Sequence, residues 1–345
     1  MLEAQRTNDP RAYDFFLRGL ALLEQRGEAL IEAMRSLEIA TTRQPNFAAA
    51  WGALSLVYNV VPTYVRQIDG QPVKPEVFYR KAKEAALKAS SIDPDLPMVR
   101  HALGNSYQRE RQWGAAEKEY KSALLNDPSD HRVMLDYAGL LRSVGKQKLS
   151  LEYVERAQEL DPLNAQYRMW VAFLGWQSDK SEENMRIIED IFLQTRQFRQ
   201  IALRLIISHS VKNDQLDRAY GLIEACGTCS DTLRNRAISM LDASKEQPPE
   251  AFFQEYKNDN ILGYQLLYSI GGEELLLQGF EYIGLEAQRR LQFFTVPWRL
   301  IDVIGQSEAF KATARDMGLV SYWRENGWPD YCRPTTGDDF VCTEP

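Results

Sequence analysis

Residues 93–128 read DPDLPMVRHALGNSYQRERQWGAAEKEYKSALLNDP, with Asp-Pro at both ends. The pair returns at Asp161-Pro162, so Pro94, Pro128 and Pro162 lie 34 residues apart each time. Within the stretch, small and large residues fall at helical spacing: Leu103, Gly104 and Tyr107, then Ala116, Tyr120 and Ala123. The next stretch carries Met134, Tyr137, Ala138, Leu141, Ser150, Val154 and Ala157 at matching places. Backward from Pro45 lie Leu17, Leu20, Ala21, Ala33, Leu37 and Ala40. Trp51, Leu54, Ser55 and Tyr58 then open a further repeat, which continues through Ala82 and Ala89 to Pro94. Such a period predicts two antiparallel helices per repeat. Small residues let the two helices approach, and large ones fill the space between neighbours. Proline ends the second helix because it cannot continue the hydrogen-bond ladder. Asn46, Asp130 and Asn164 follow the prolines where an N-cap is wanted.

On these residues, 12–162 resembles a tetratricopeptide-repeat (TPR) array, with Arg100 replacing the usual large first residue of one repeat. The expected fold is all-α, a right-handed superhelical solenoid of antiparallel helix pairs. It has TPR repeats in the N-terminal half and degenerate TPR-like hairpins in the C-terminal half. The expected division is a TPR array over 12–178, degenerate repeats over 179–330 and a tail over 331–345. After Pro162 one more first helix reads through Arg168, Val171, Ala172 and Gly175, followed by a helix around Met185–Phe198. Further helices are expected near 200–212, 215–226, 230–243, 249–258, 262–270, 284–293 and 306–317, from apolar sets such as Leu203, Ile206 and Ile207. No stretch reads as a strand. Pro45 to Pro94 is 49 residues, and the excess carries Pro62, Asp69-Gly70, Pro72 and Pro75. These breaker signals predict an inserted loop at about 60–76, either a tolerated surface insertion or a lip for a binding surface.

Of the 345 residues, 44% are hydrophobic, and the net charge is -7 with Lys+Arg 41 and Asp+Glu 48. No basic stripe is visible, which argues against direct nucleic-acid binding. No run approaches a membrane span and the N-terminus has no apolar signal region. The expectation is a soluble chain, cytoplasmic as it stands, that does not insert into a membrane. Only His101, His131 and His209 are present, which limits acid–base and metal chemistry. Nucleotide, metalloprotease and nucleophile-elbow motifs are all missing. Paired carboxylates such as Glu182-Glu183, Glu273-Glu274 and Asp338-Asp339 read as solvated charges, and Phe252-Phe253 and Phe293-Phe294 as core. No enzyme activity, cofactor or metal is expected.

Cys226 and Cys229 are spaced C-x2-C, and Cys332 and Cys342 C-x9-C. The spacing permits two local disulfides, which would imply an oxidising compartment, and equally four reduced thiols. The first pair follows a helix end with no strand before it, unlike a thioredoxin-type site. A thiol-redox protein using Cys226 and Cys229 remains an alternative function.

The main functional candidate is the concave groove lined by the first helix of each pair. Its expected partner-binding residues are His101, Asn105, Gln108 and Arg109, then Arg132, Asp136 and Arg142, then Gln166, Met169, Phe173 and Trp176. Polar groups give way to aromatic ones along this stripe, which suits an extended peptide or a partner helix. The arrays that clamp chaperone C-terminal carboxylates are a poor match. Asn105 fits one position, but Leu135 and Asp136 stand where an amide is wanted. A small-molecule sensor, with its ligand held by the C-terminal helices, is the other alternative. The sequence leaves the oligomeric state open.

Two further motifs carry a narrower resemblance. Ala12-Tyr13-Asp14-Phe15-Phe16-Leu17-Arg18-Gly19, together with Tyr322-Trp323-Arg324 and Gly327-Trp328-Pro329-Asp330-Tyr331-Cys332, resembles a bacterial family of one-component regulators. In that family a TPR-rich C-terminal half follows a winged-helix or nucleotide-cyclase effector. The resemblance implies a sensory or interaction part, alone or as a stand-alone relative. It also implies a periplasmic location if the chain is the outer part of a membrane-anchored regulator.

Overall fold

The computed structural model describes residues 7–179, 182–195, 198–243, 305–337 and 339–343. The helices expected near 249–258, 262–270 and 284–293, the two Phe pairs and Glu273-Glu274 lie outside the described residues. Among the described residues every element longer than three residues is an α-helix, and the fold is all-α, of the TPR kind. The chain divides into two compact units, residues 1–140 and 141–345.

The first unit holds α1 (Pro10–Gln25), α2 (Ala29–Arg43), α3 (Ala48–Tyr64), α4 (Pro75–Ile92), α5 (Pro97–Arg109), α6 (Trp113–Asn126) and most of α7 (His131–Ser143). The densest contacts join α1 with α2, α3 with α4, and α5 with α6. The repeat prolines do their work just outside the helices: α2 stops before Pro45, α4 before Pro94 and α6 before Pro128. The side chain of Asp130 caps α7, accepting from the amides of Arg132 (3.0 Å) and Val133 (3.3 Å). Asn46 makes no such cap. The cap position of α3 falls at Phe47, which is buried and packs its ring 5.0 Å from that of Phe16. Hydrophobic packing fixes the entry to this helix in place of a polar cap.

Two of the pairs close on a glycine, α1 and α2 at Gly19 against Leu37 and α5 and α6 at Gly104 against Tyr120. A Cβ built on Gly104 would lie 2.8 Å from a ring carbon of Tyr120, so α5 and α6 approach as closely as a hydrogen side chain allows. Tyr120 is fully buried there. The expected loop at 60–76 is smaller than its breakers suggested. Pro62 lies inside α3, and residues 65–74 fold into a hairpin of β1 (Gln67–Ile68) and β2 (Gln71–Pro72). Asp69 and Gly70 turn the hairpin at φ 50° and 76°, as a two-residue left-handed turn requires.

The second unit holds the end of α7, then α8 (Gln147–Leu160), α9 (Ala165–Asp179), α10 (Glu182–Gln194), α11 (Arg199–Lys212), α12 (Leu216–Ala225) and α13 (Asp231–Ala243). Beyond them come α14 (Glu308–Asp316), α15 (Leu319–Asn326) and a hairpin of β3 (Cys332–Pro334) and β4 (Phe340–Cys342). The two hairpins correct the expectation of no strands. Asn164 caps α9, its side-chain oxygen taking the Gln166 amide at 3.0 Å.

The end of this unit lies against its own beginning. Trp323 on α15 is fully buried and its indole N–H donates to the Val144 carbonyl at 2.8 Å. Trp328 and Phe340 pack on its ring at centroid distances of 5.6 and 5.4 Å. The Asp330 amide donates to the Gly145 carbonyl (3.2 Å), and the Lys148 amide donates back to the Asp330 carboxylate (2.9 Å). Lys146 donates to the Asn326 carbonyl at 2.7 Å and to the Tyr322 hydroxyl at 3.2 Å. Cys332 and Cys342 face each other across the β3–β4 ladder and are joined as a disulfide. The Trp-Pro-Asp-Tyr-Cys motif is therefore a docking element. Trp323→Ala should destabilise the second unit by about 3–5 kcal/mol, as for a buried aromatic truncated in a core. Urea unfolding followed by far-UV circular dichroism measures this.

Candidate partner-binding face

In the first unit two of the sequence-predicted residues, His101 and Asn105, meet a third, the Asp136 carboxylate. His101 and Asn105 stand one turn apart on α5, facing α7. The Nε2 of His101 lies 2.7 Å from the Asp136 Oδ2, and the Asn105 side-chain amide donates to the same oxygen at 2.9 Å. His101 is buried, whereas the Asp136 side chain is 39% exposed. Burial works to raise the Asp136 carboxyl, but the His101 and Asn105 hydrogen bonds and the Arg26 charge outweigh it and hold it below the usual carboxylate range. Asp130 is also held low: burial opposes this, and the Arg132 and His101 charges with the hydrogen bonds from Arg132 and the Val133 amide prevail.

Arg132 pairs with Asp130 (3.2 Å) and stands 3.9 Å from Glu24 at the end of α1. Gln108 accepts from the hydroxyl of buried Tyr120 at 2.7 Å. Arg109, one turn beyond Asn105, lies 4.5 Å from the Tyr79 ring centroid on α4 and reaches the Asn59 backbone carbonyl on α3 at 3.4 Å. The first-unit residues of the expected stripe thus form a polar face, held by its own hydrogen bonds.

Asn59 was missing from the expected stripe. It is 1% exposed, and neither polar atom of its side-chain amide has a hydrogen-bond partner. The signal was present. Asn59 lies 49 residues before Gln108, the same separation as Pro45 and Pro94, so the two occupy one repeat position. The insertion hid that equivalence from a count at the regular period.

The second-unit part of the stripe is different. Arg142 stacks its guanidinium 4.0 Å from the Trp170 ring centroid. Burial pushes its pKa down to about 9, which still leaves it cationic at neutral pH. Gln166 is half-buried, but Met169, Phe173 and Trp176 are buried in the core. The expected passage from polar to aromatic groove surface is therefore corrected: the aromatic residues fill space between helices. The Trp176 indole N–H points to His209 Nδ1 at 3.4 Å, and His209 Nε2 lies 3.0 Å from Glu182. Glu182 also takes Arg218 at 2.9 Å, and this hydrogen bond above all holds its carboxyl below the usual range.

Both cysteine pairs are joined, Cys226 to Cys229 and Cys332 to Cys342. Among the described residues no cluster of three His, Cys, Asp or Glu could hold a metal ion, and no helix is long and apolar enough to cross a membrane.

No family model matches the chain, and no curated protein matches it. Solved structures resemble it at low identity. Pseudomonas aeruginosa pilF is 18% identical, with a TM-score of 0.45 over 72% of this chain and 98% of that one. A tetratricopeptide repeat protein from Parabacteroides merdae is 13% identical, with a TM-score of 0.41 over 83% and 99%. Yeast Tom70 is 13% identical, with a TM-score of 0.43 over 92% of this chain and 60% of that one. None of these likenesses bears on function.

The depressed Asp136 carboxyl has a pH consequence. Its stabilising effect is fully present above the unfolded carboxylate value, about 4, and is lost as pH falls through the lower folded value. Asp136→Asn should lower the thermal midpoint at pH 7, with parent and variant converging below about pH 3. A scan of thermal midpoint against pH reads this. A constant gap across the whole range would mean that the charge of Asp136 contributes nothing.

Proposed function

We propose that the chain is a non-enzymatic interaction module that holds an extended protein segment against the first-unit face of α3, α5 and α7. The observation that carries this reading is the side-chain amide of Asn59, buried with neither polar atom paired, beside the half-buried Arg109. An unpaired buried amide costs about 1–3 kcal/mol. A peptide backbone that displaces the groups covering the amide offers both the donor and the acceptor that would satisfy it. Asn105, Gln108 and Arg132 add further polar groups on the same side of their helices, already oriented by internal partners.

The two regulator-like motifs support a role as the sensory part of a bacterial signalling protein, relaying binding to a winged-helix or cyclase effector. The two disulfides favour an oxidising compartment, and so the periplasmic location, over the cytoplasm.

Panning a random-peptide display library against the native chain tests the binding face. Selected peptides should lose at least about tenfold in affinity for Asn59→Ala, and again for Asn105→Ala with Arg109→Ala, while the helical circular dichroism signal is kept. Unchanged affinity in both variants overturns the assignment of this face.

A further inference from the structure

The turn that joins α12 to α13 is built unlike any other among the described residues. It is a four-residue ring, Cys226-Gly227-Thr228-Cys229, closed by a disulfide. Its two cysteines differ in access: Cys226 is 1% exposed, whereas Cys229 is half-exposed and its neighbours Gly227 and Thr228 are exposed. In the other disulfide both residues are buried, Cys332 at 6% and Cys342 at 0%.

Two arginines hold the ring. Arg234 donates to the Cys226 carbonyl at 2.6 Å. Arg199, itself buried, donates to the Thr228 carbonyl (3.1 Å) and to the Thr228 hydroxyl (2.8 Å), and its Nε donates to the Phe192 carbonyl in the last turn of α10 (3.0 Å). Cationic surroundings favour the thiolate form of a cysteine, and a better thiolate is a better leaving group in disulfide exchange. The shape of the turn thus separates two roles by access: Cys229, on the more exposed side of the ring, is the sulfur an incoming thiol meets, and buried Cys226 is the one that leaves.

We propose that Cys226–Cys229 is a site of reversible thiol modification, opened by small dithiols and monothiols, while Cys332–Cys342 is a structural bond. An external thiolate attacks Sγ of Cys229 and forms a new S–S bond there. The electron pair of the old bond leaves with Cys226 as a thiolate, in a residue whose carbonyl Arg234 holds. With a dithiol, its second thiol displaces Cys229, so the reagent leaves as a cyclic disulfide and the protein has gained two electrons. Two protons complete the two cysteine thiols. With a monothiol, the freed Cys226 can return and expel it, so the mixed disulfide remains on Cys229 only where Cys226 is alkylated first. Once the ring is open, Thr228 is no longer held in place beneath Arg199, and the clasp on the end of α10 loosens.

Timed exposure of the native full chain to dithiothreitol, quenched with N-ethylmaleimide and mapped by peptide mass spectrometry, tests this. Cys226 and Cys229 should be labelled at least about tenfold faster than Cys332 and Cys342. Excess glutathione, with N-ethylmaleimide added to trap the freed thiol, should leave its adduct on Cys229 and the alkyl group on Cys226. Arg234→Gln, on a half-buried residue that holds the ring at the Cys226 carbonyl, should change the opening rate about threefold, with helicity unchanged. Equal labelling of the two pairs, an adduct on Cys226, or an unaltered rate in Arg234→Gln overturns the proposal. So does a native chain purified with Cys226 and Cys229 already free.

Discussion

The close approach of paired helices at small residues governs the packing of the first unit. Gly104 admits the Tyr120 ring where any Cβ would collide with it, and that ring is then wholly buried. Burying an aromatic of this size contributes about 1.5–3 kcal/mol, but only if its hydroxyl finds a partner. It does: the hydroxyl donates to Gln108, on the polar face of α5. Tyr120 also packs 5.9 Å from the Tyr137 ring, whose hydroxyl donates to Glu117 at 3.0 Å. One glycine therefore governs a line of contacts that runs from the pair interface to the next helix and out to the candidate face.

The second unit meets a different constraint. Stacked helix pairs leave an apolar face at each end of the stack, which something must cover. Here the last described elements return to the turn before α8. Trp323 inserts against Val144, and Asp330 exchanges hydrogen bonds with the backbone of Gly145 and Lys148. The bonds go largely to backbone groups, so docking depends on the shape of that turn more than on its side chains. Gly145, at φ 83°, supplies the shape. The short β3–β4 ladder adds Phe340 to the Trp323 cluster, and the Cys332–Cys342 bond keeps that ladder closed.

The repeat was legible because it rests on residues that no partner needs to explain. Prolines just past helix ends, Gly104 and the alanines of the second helices follow from backbone geometry and sterics alone. The caps at Asp130 and Asn164 were legible for the same reason. The hairpins were not. Two- and three-residue strands are too short to show alternation, and Asp69-Gly70 looked like any loop although it is a hairpin signal. Pro62 misled because proline breaks a helix only where its missing N–H and its ring matter, and α3 passes through it. Met169, Phe173 and Trp176 misled because helical spacing gives a face but not what covers it. A stripe on a first helix looks the same whether it borders solvent or the next pair.

The candidate face combines order with one gap. His101, Asn105 and Asp136 lock one another, so those side chains lose little freedom when a partner arrives, and binding is weakened less by ordering. Their mutual bonds also use up part of the capacity they could offer a ligand, with Asp136 held ionised by its neighbours. Asn59 is the opposite case: buried, rigidly placed on α3, and unpaired at both polar atoms. A recognition surface needs both kinds of residue. Locked groups set the geometry at low entropic cost, and the unmatched amide provides the differential gain. On the proposed reading Asn105 and Arg109 make the first contact, because both polar atoms of the Asn59 amide are closed to solvent, and the amide adds its gain only where a partner displaces what covers it.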